Sequence, residues 1–136
     1  MNRNIDVFVT DTHPLAYYAG GRFSKLSKRA RALFDDAQEG SVLICIPTIV
    51  LSELTILLSL ERIRMPHSFD KWCRDIEADP SFCIEPLLWT DVNEMRYLPF
   101  NDPFDRMIVG TAKRLRLPLI TKDVEIADSG LVETMW

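Results

Sequence analysis

No run of about 20 apolar residues occurs anywhere in the 136-residue chain, which excludes a membrane-spanning helix. The start, MNRNIDVFVTD, has an apolar run far too short for a secretory leader and carries an acid inside it, so a cytoplasmic protein is expected. Cysteine is scarce. Cys45, Cys73 and Cys83 are odd in number, widely spaced and set among apolar residues, with no Cys-x-x-Cys and no nearby His pair. That pattern excludes a disulfide framework and leaves buried free thiols in a reducing compartment as the reading, in place of a zinc site. No internal repeat or low-complexity tract is present either. Nor is there an excess of basic charge, and a formal net charge of −4 at first speaks against a nucleic-acid partner. Set four acids aside for metal ligation, however, and 16 acidic residues remain against 16 basic ones, so distribution matters more than the total.

What is present is an ordinary globular composition, 47% hydrophobic and 26% charged, in a length that suits one domain spanning 1–136 with a core of its own. Ile5 to Thr10 is rich in β-branched and aromatic residues and too apolar to alternate, as in a central parallel strand. It runs into Asp11-Thr12-His13-Pro14. A carboxylate at that junction either caps the next helix, Leu15 to Ala19, or serves a metal or nucleophile at the carboxyl edge of the sheet. After Gly20-Gly21 come five cations and no acid, Arg22, Lys25, Lys28, Arg29 and Arg31, on a helix ending at Gly40. Such a basic face is solvated surface or a phosphate contact. Ser41 to Ile46 reads as the second strand, stopped by Pro47.

The helix Thr48 to Arg62 carries the most informative residue. Side chains three and four positions apart share a helix face, and around Glu53 these are Ile49, Val50, Ile56 and Leu57, all large and aliphatic. A carboxylate in that company costs several kcal/mol unless it finds an Arg or Lys, coordinates a cation or takes up a proton. Further on, a helix over Ser68 to Glu77 presents Phe69, Trp72, Cys73 and Ile76 to a core or an interface. Phe82 to Glu85 is a short strand, and Thr90 caps a helix through Leu98.

Asn101 to Asp123, NDPFDRMIVGTAKRLRLPLITKD, puts acids at both ends of a helix-strand unit. Asp102-Pro103 is a helix start, and Phe104, Ile108, Ala112 and Leu115 form its apolar stripe. Asp105 lies in the first turn. Leu117-Pro118 ends the helix, Leu119-Ile120 is a buried strand, and Asp123 stands just past its carboxyl end, where open α/β sheets bind ligands. Val124 to Asp128 makes one helical turn and Leu131 to Met135 a short edge strand. The alternation predicts a three-layer α/β/α domain with a mainly parallel sheet of about five strands.

Asp11, Glu53, Asp105 and Asp123 each have an ordinary explanation alone. If the fold gathers them, like charges cannot all stay ionised without a counter-ion. In sequence only Arg106 and Lys122 adjoin them, and oxygen-only ligands with no His or Cys select hard Mg²⁺ or Mn²⁺. Such an ion keeps waters, lowers the pKa of one of them and shields charge on a phosphodiester under in-line attack.

The segments VFVTDTHPLAYY, VLSELTILLSLERI and DPFDRMIVGTAKRLRLPLITKD, with the spacing between them, resemble the PIN domain family, specifically VapC-like ribonuclease toxins of toxin-antitoxin modules. The resemblance covers nearly the whole chain. It implies a metal-dependent endoribonuclease whose four acids are Asp11, Glu53, Asp105 and Asp123, supported by the hydroxyls of Thr12 and Thr121. It also implies a homodimer and a partner antitoxin whose C-terminal segment covers the acidic groove. Asp102 is expected to act as a helix cap outside the metal shell, and His13 to serve structure in place of catalysis. Two other classes compete with this reading. A phosphatase of the haloacid dehalogenase type needs an acid two residues after the first, where His13 stands, and a receiver needs an acid pair that the first strand lacks. A catalytically silent module would keep the acidic groove for a basic partner.

Overall fold

In the computed structural model, which describes residues 4–136, the strands alternate with helices along the chain. They are β1 (Asp6–Thr10), α1 (Thr12–Ala19), α2 (Lys28–Gln38), β2 (Val42–Pro47), α3 (Thr48–Ser59), α4 (Phe69–Ala78), β3 (Phe82–Glu85), α5 (Trp89–Glu94), α6 (Pro103–Leu115), β4 (Leu119–Ile120), α7 (Val124–Ser129) and β5 (Thr134–Met135). Among the described residues the strands form one five-stranded sheet in the order β3-β2-β1-β4-β5, with every pairing parallel. Helices cover both faces in the expected three layers. The order reverses direction at β1: β2 and β3 lie to one side of it, β4 and β5 to the other. At such a switch point the chain leaves neighbouring strands in opposite directions, and a crevice opens beyond their carboxyl ends.

The sequence explains why β1 is central. Val9, Ile44, Ile46, Leu119 and Ile120 have no exposed surface, consistent with strands covered on both faces. Phe34 of α2, Leu54 of α3, and Ile108 and Ala112 of α6 are equally buried and close the layers onto the sheet. Pairing at the switch point is extended by backbone bonds past the short β4: the Val9 amide donates to the Pro118 carbonyl and that of Asp11 to Ile120, both at 2.9 Å. The last residue of this extended ladder is the first acid.

Several boundaries differ from expectation for local reasons. α1 begins at Thr12 instead of Leu15, because the Asp11 side chain accepts from the Thr12 amide and Pro14 is still within the first turn, where its missing N–H is harmless. The cationic segment is not one helix. Phe23–Lys25 form a 3-10 turn preceded by Arg22, and Ser27 starts α2 by accepting from the Ala30 amide at 3.0 Å. Leu88, not Thr90, caps α5, since the Asp91 carboxylate reaches back to the Leu88 amide at 3.0 Å. α3 stops at Ser59, short of Arg62, as Glu61 turns to a positive φ of 55°. Gly20 permits the end of α1 to approach the next layer, for a Cβ there would sit 2.6 Å from the Arg64 carbonyl oxygen. Of the three thiols only Cys45 is fully buried. It pairs in register with Cys83, Sγ to Sγ 2.7 Å, and burial pushes it up to about 12, so it stays a thiol.

A polar clamp fastens α5 to α6 and β3. Arg114 contacts Asp91 at 2.8 Å and Glu85 at 2.9 Å, and the Asp91 side chain is only 1% exposed. Removing the cation would strand a buried carboxylate. Arg114→Ala is therefore expected to lower the unfolding free energy by about 3 kcal/mol, at the low end for a broken buried pair because the guanidinium is partly solvated. Urea unfolding of the Arg114→Ala and Asp91→Asn/Arg114→Ala proteins checks this. The double variant should recover part of the loss.

Candidate active site

The end of β1 delivers Asp11, and its conformation is fixed from two sides. Oδ1 accepts from the Thr12 amide at 2.8 Å and Oδ2 from the Thr121 hydroxyl at 2.7 Å. The cap and the site, alternatives in the sequence, coincide in one residue. Thr121 itself follows β4, and its oxygen also accepts from the Asp123 amide at 3.1 Å, so a single hydroxyl joins the ends of the two central strands. Asp123 caps α7 through a 3.1 Å bond from the Ile126 amide. Glu53 projects from the middle of α3, where Val50, Leu54 and Leu57 are buried around its base. No lysine or arginine among the described residues meets it. Its Oε1 accepts from the Thr12 hydroxyl instead. The Thr12 hydroxyl, at the start of α1, thus bonds Glu53, and the Thr121 hydroxyl, just past β4, bonds Asp11. Asp105 comes from the first turn of α6, behind the Asp102 cap, whose carboxylate accepts from the Phe104 amide at 2.8 Å.

All four acids line one pocket of about 420 Å³ at the carboxyl edge of the switch point. Sequence reasoning did not place five further residues in its wall: His13, Asp102, Lys122, Val124 and Glu125. Asp102 does more than cap, since its carboxylate also faces the pocket; Glu125 of α7 and Lys122 complete the rim. Asp102 was one helical turn from Asp105 in the sequence, which was a usable signal; nothing in the sequence marked Glu125. His13 is in the same wall, with its ring 6.1 Å from that of Tyr17. The five expected substrate-binding cations are not in the wall. Arg22 and Lys25 gather near Tyr17, Arg31 pairs with Asp35 at 3.7 Å, Arg29 reaches the Met135 sulfur at 3.2 Å, and Lys28 is exposed at the start of α2.

Crowding of negative charge decides the electrostatics. Asp105 is pushed up to about 7, first by burial and then by the charges of Asp102, Asp11, Asp123 and Glu53. A helix N-terminus ordinarily favours an anion by 0.3–1 kcal/mol, so burial and repulsion together clearly win here. Asp11 is raised by burial, against the opposing hydrogen bonds from Thr121 and Thr12. Glu53 is raised by burial and by Asp11, against the bond from Thr12. Neither adjoining cation relieves the pocket: Arg106 Nε donates to the Phe100 carbonyl, and Lys122 Nζ donates to the Tyr17 hydroxyl at 2.7 Å. The carboxylates that dominate this wall, with His13 as the one imidazole beside them, suit a hard divalent cation in kind. Among the described residues no three such side chains are yet closed around one point, although all line the same pocket. A second concavity, between α5 and α6, offers no comparable chemistry, since its Lys113 is paired with Glu94 and its Arg114 with Asp91.

The PIN domain family model matches residues 8–130, from within β1 to the glycine that closes α7. No curated protein matches the chain. Among solved structures, the VapBC2 complex of Rickettsia felis bound to a promoter DNA fragment contains a chain similar to this one with a TM-score of 0.66 and 14% identity, over 95% of this chain and 97% of that one. A toxin-antitoxin complex from Klebsiella pneumoniae gives 0.59 and 20% over 95% and 96%, and FitAB bound to an IR36 DNA fragment gives 0.55 and 12% over 95% and 93%. At such identities these likenesses speak for the fold. A parallel sheet ordered 3-2-1-4-5, acids at its switch point and a family match over nearly the whole length agree, and the chain belongs to the PIN domain family.

Proposed function

We propose that this PIN domain is a metal-dependent endoribonuclease and the toxin of a toxin-antitoxin pair, acting in the cytoplasm. One observation carries the reading: Asp11, Glu53, Asp105 and Asp123 share a pocket, and among the described residues no lysine or arginine forms an ion pair with any of them. A bound Mg²⁺, or Mn²⁺ in its place, would lower the pKa of a water and screen the charge that builds on a phosphodiester during in-line attack. Asp11 and Asp105 would hold the principal ion. Glu53 and Asp123 complete the acidic set and orient the attacking water, the first steadied by Thr12 and the second by Thr121 and the start of α7. The Thr121 bridge ties Asp11 to the backbone of Asp123, so the ends of β1 and β4 would present their acids to the ion together. The complexes described above supply the support for an antitoxin partner, whose segment would cover the acidic groove. Leu88, Trp89 and Val92, exposed together around α5, support a protein-covered face and with it a homodimer.

Two experiments test this. Asp11→Asn and Glu53→Gln each should reduce Mg²⁺-dependent cleavage of single-stranded RNA by at least about 100-fold, on the scale of lost transition-state stabilisation, with an unchanged circular dichroism spectrum. Cleavage persisting in both variants would refute the assignment.

The second is thermodynamic. Asp105 keeps its proton in the folded chain up to about 7, whereas the unfolded chain loses it near the ordinary 3.8. Across that window the folded state binds more protons, so stability contributed by the protonated group is full below the lower value and declines as pH rises through the upper one. In EDTA, Asp105→Asn should therefore melt roughly 5 °C above wild type at pH 8 and lose most of that advantage at pH 4. Excess Mg²⁺ should stabilise wild type at pH 8 and reduce the gap. A pH-independent gap, or no response to Mg²⁺, counts against the metal reading.

A further inference from the structure

The acids are not the only charges organised around α1. His13 and Tyr17 are four residues apart and share one face of that helix. The face begins in the pocket wall at His13 and leads to the ring of Tyr17, which is itself buried. Three cations from three places converge on that ring: Lys122 Nζ at 4.8 Å from its centroid, Lys25 Nζ at 5.7 Å and the Arg22 guanidinium at 6.0 Å. These are cation-π distances, and no two of the cations can be farther apart than twice the longest of them. Lys122 also donates to the Tyr17 hydroxyl at 2.7 Å while lining the acidic pocket. None of the three forms an ion pair among the described residues, and all three are exposed. Exposed like charges held together by a common ring repel one another. Arg22 and Lys25 have no carboxylate partner among the described residues, and Lys122, although it borders the acids in the pocket wall, donates to Tyr17 and pairs with none of them, so the set can receive an external anion.

We infer that Lys122, Lys25 and Arg22, gathered on Tyr17, form a phosphate-binding subsite that holds the backbone of a single-stranded RNA beside the acidic pocket. The inference rests on the nuclease reading for the identity of the polymer and deepens it by assigning the strand's path along α1. Lys122 sits at the junction, reaching both the pocket and the ring, so a strand held there has one phosphate over the acids and the neighbouring ones over the cations. Tyr17 does not stack on a base, being covered; it is the platform that orders the cations. The segment from Arg22 to Arg31 is divided accordingly, with Arg22 and Lys25 on the strand's path and Lys28, Arg29 and Arg31 outside it.

The test is anisotropy of a labelled single-stranded RNA 20-mer, in EDTA so that nothing is cut, over a series of KCl concentrations. Each phosphate contact on a single strand contributes about 0.7 to the slope of log K against log salt. The Arg22→Ala/Lys25→Ala/Lys122→Ala protein should lose about 2 from that slope, and Lys122→Arg should retain it. A control with the same change in net charge, Arg62→Ala/Arg64→Ala/Arg116→Asn, removes exposed cations away from the pocket and should leave the slope unchanged. Equal losses in the two triple variants, or none in the first, would overturn the subsite, as would tighter retention of duplex DNA than of RNA by the same residues. The two readings fail separately. Wild type that cleaves RNA with Mg²⁺ while the first triple variant binds undiminished refutes the subsite alone, and wild type that never cleaves while that variant loses the slope refutes the nuclease alone.

Discussion

The Thr121 hydroxyl is the hinge pin of the site. It gives its one hydrogen to Asp11 and takes one from the Asp123 amide, so the ends of β1 and β4 are locked to each other where the sheet reverses its winding. Everything else about the pocket presupposes that lock. α6 and α3 bring Asp105 and Glu53 against a pair of acids whose positions are already settled, and Thr12 does for Glu53 what Thr121 does for Asp11. Repulsion among carboxylates would open a looser assembly. Here each of three acids is restrained by at least one short-range bond from a backbone amide or a threonine, while Asp105 takes up the mismatch as a raised pKa.

How much of this could be read from the chain follows from the range of the forces involved. Asp11 and Asp123 were legible because a strand's apolar run and a helix cap are local signals, and their meeting follows from parallel winding. Glu53 was legible because four aliphatic neighbours on a helix leave a carboxylate little choice. Asp105 came with the Asp-Pro start of its helix. By contrast, the contact of Thr12 with Glu53 joins residues 41 apart in the chain, and the approach of Glu125 to the pocket depends on how α7 turns away from β4. Neither leaves a trace in spacing. The division of the cationic segment was hidden for another reason: the Ser27 cap that splits it was not read from the sequence, and only the packed Tyr17 shows which side chains turn toward α1. α5 was misplaced by two residues because the side chain that governs its start, Asp91, lies inside the helix and serves Arg114 as well.

Around the pocket and the adjoining face of α1, charges of opposite sign are sorted with little overlap. Acids occupy the pocket, cations occupy the Tyr17 ring, and Lys122 alone belongs to both. The formal net charge of −4 is thus a poor guide to what the surface attracts, because it counts every acid at full value although burial raises Asp11 and Glu53 and, with the neighbouring charges, pushes Asp105 up to about 7.

The Arg114 clamp stands apart from this arrangement. It joins α5, α6 and β3 through Arg114, Asp91 and Glu85, none of which lines the acidic pocket. Scaffold and chemistry therefore draw on separate sets of ionisable groups, and substitutions in one set leave the other's partners in place. A lineage carrying this architecture is free to alter, or even to silence, what its pocket does without first having to reinvent how the chain folds.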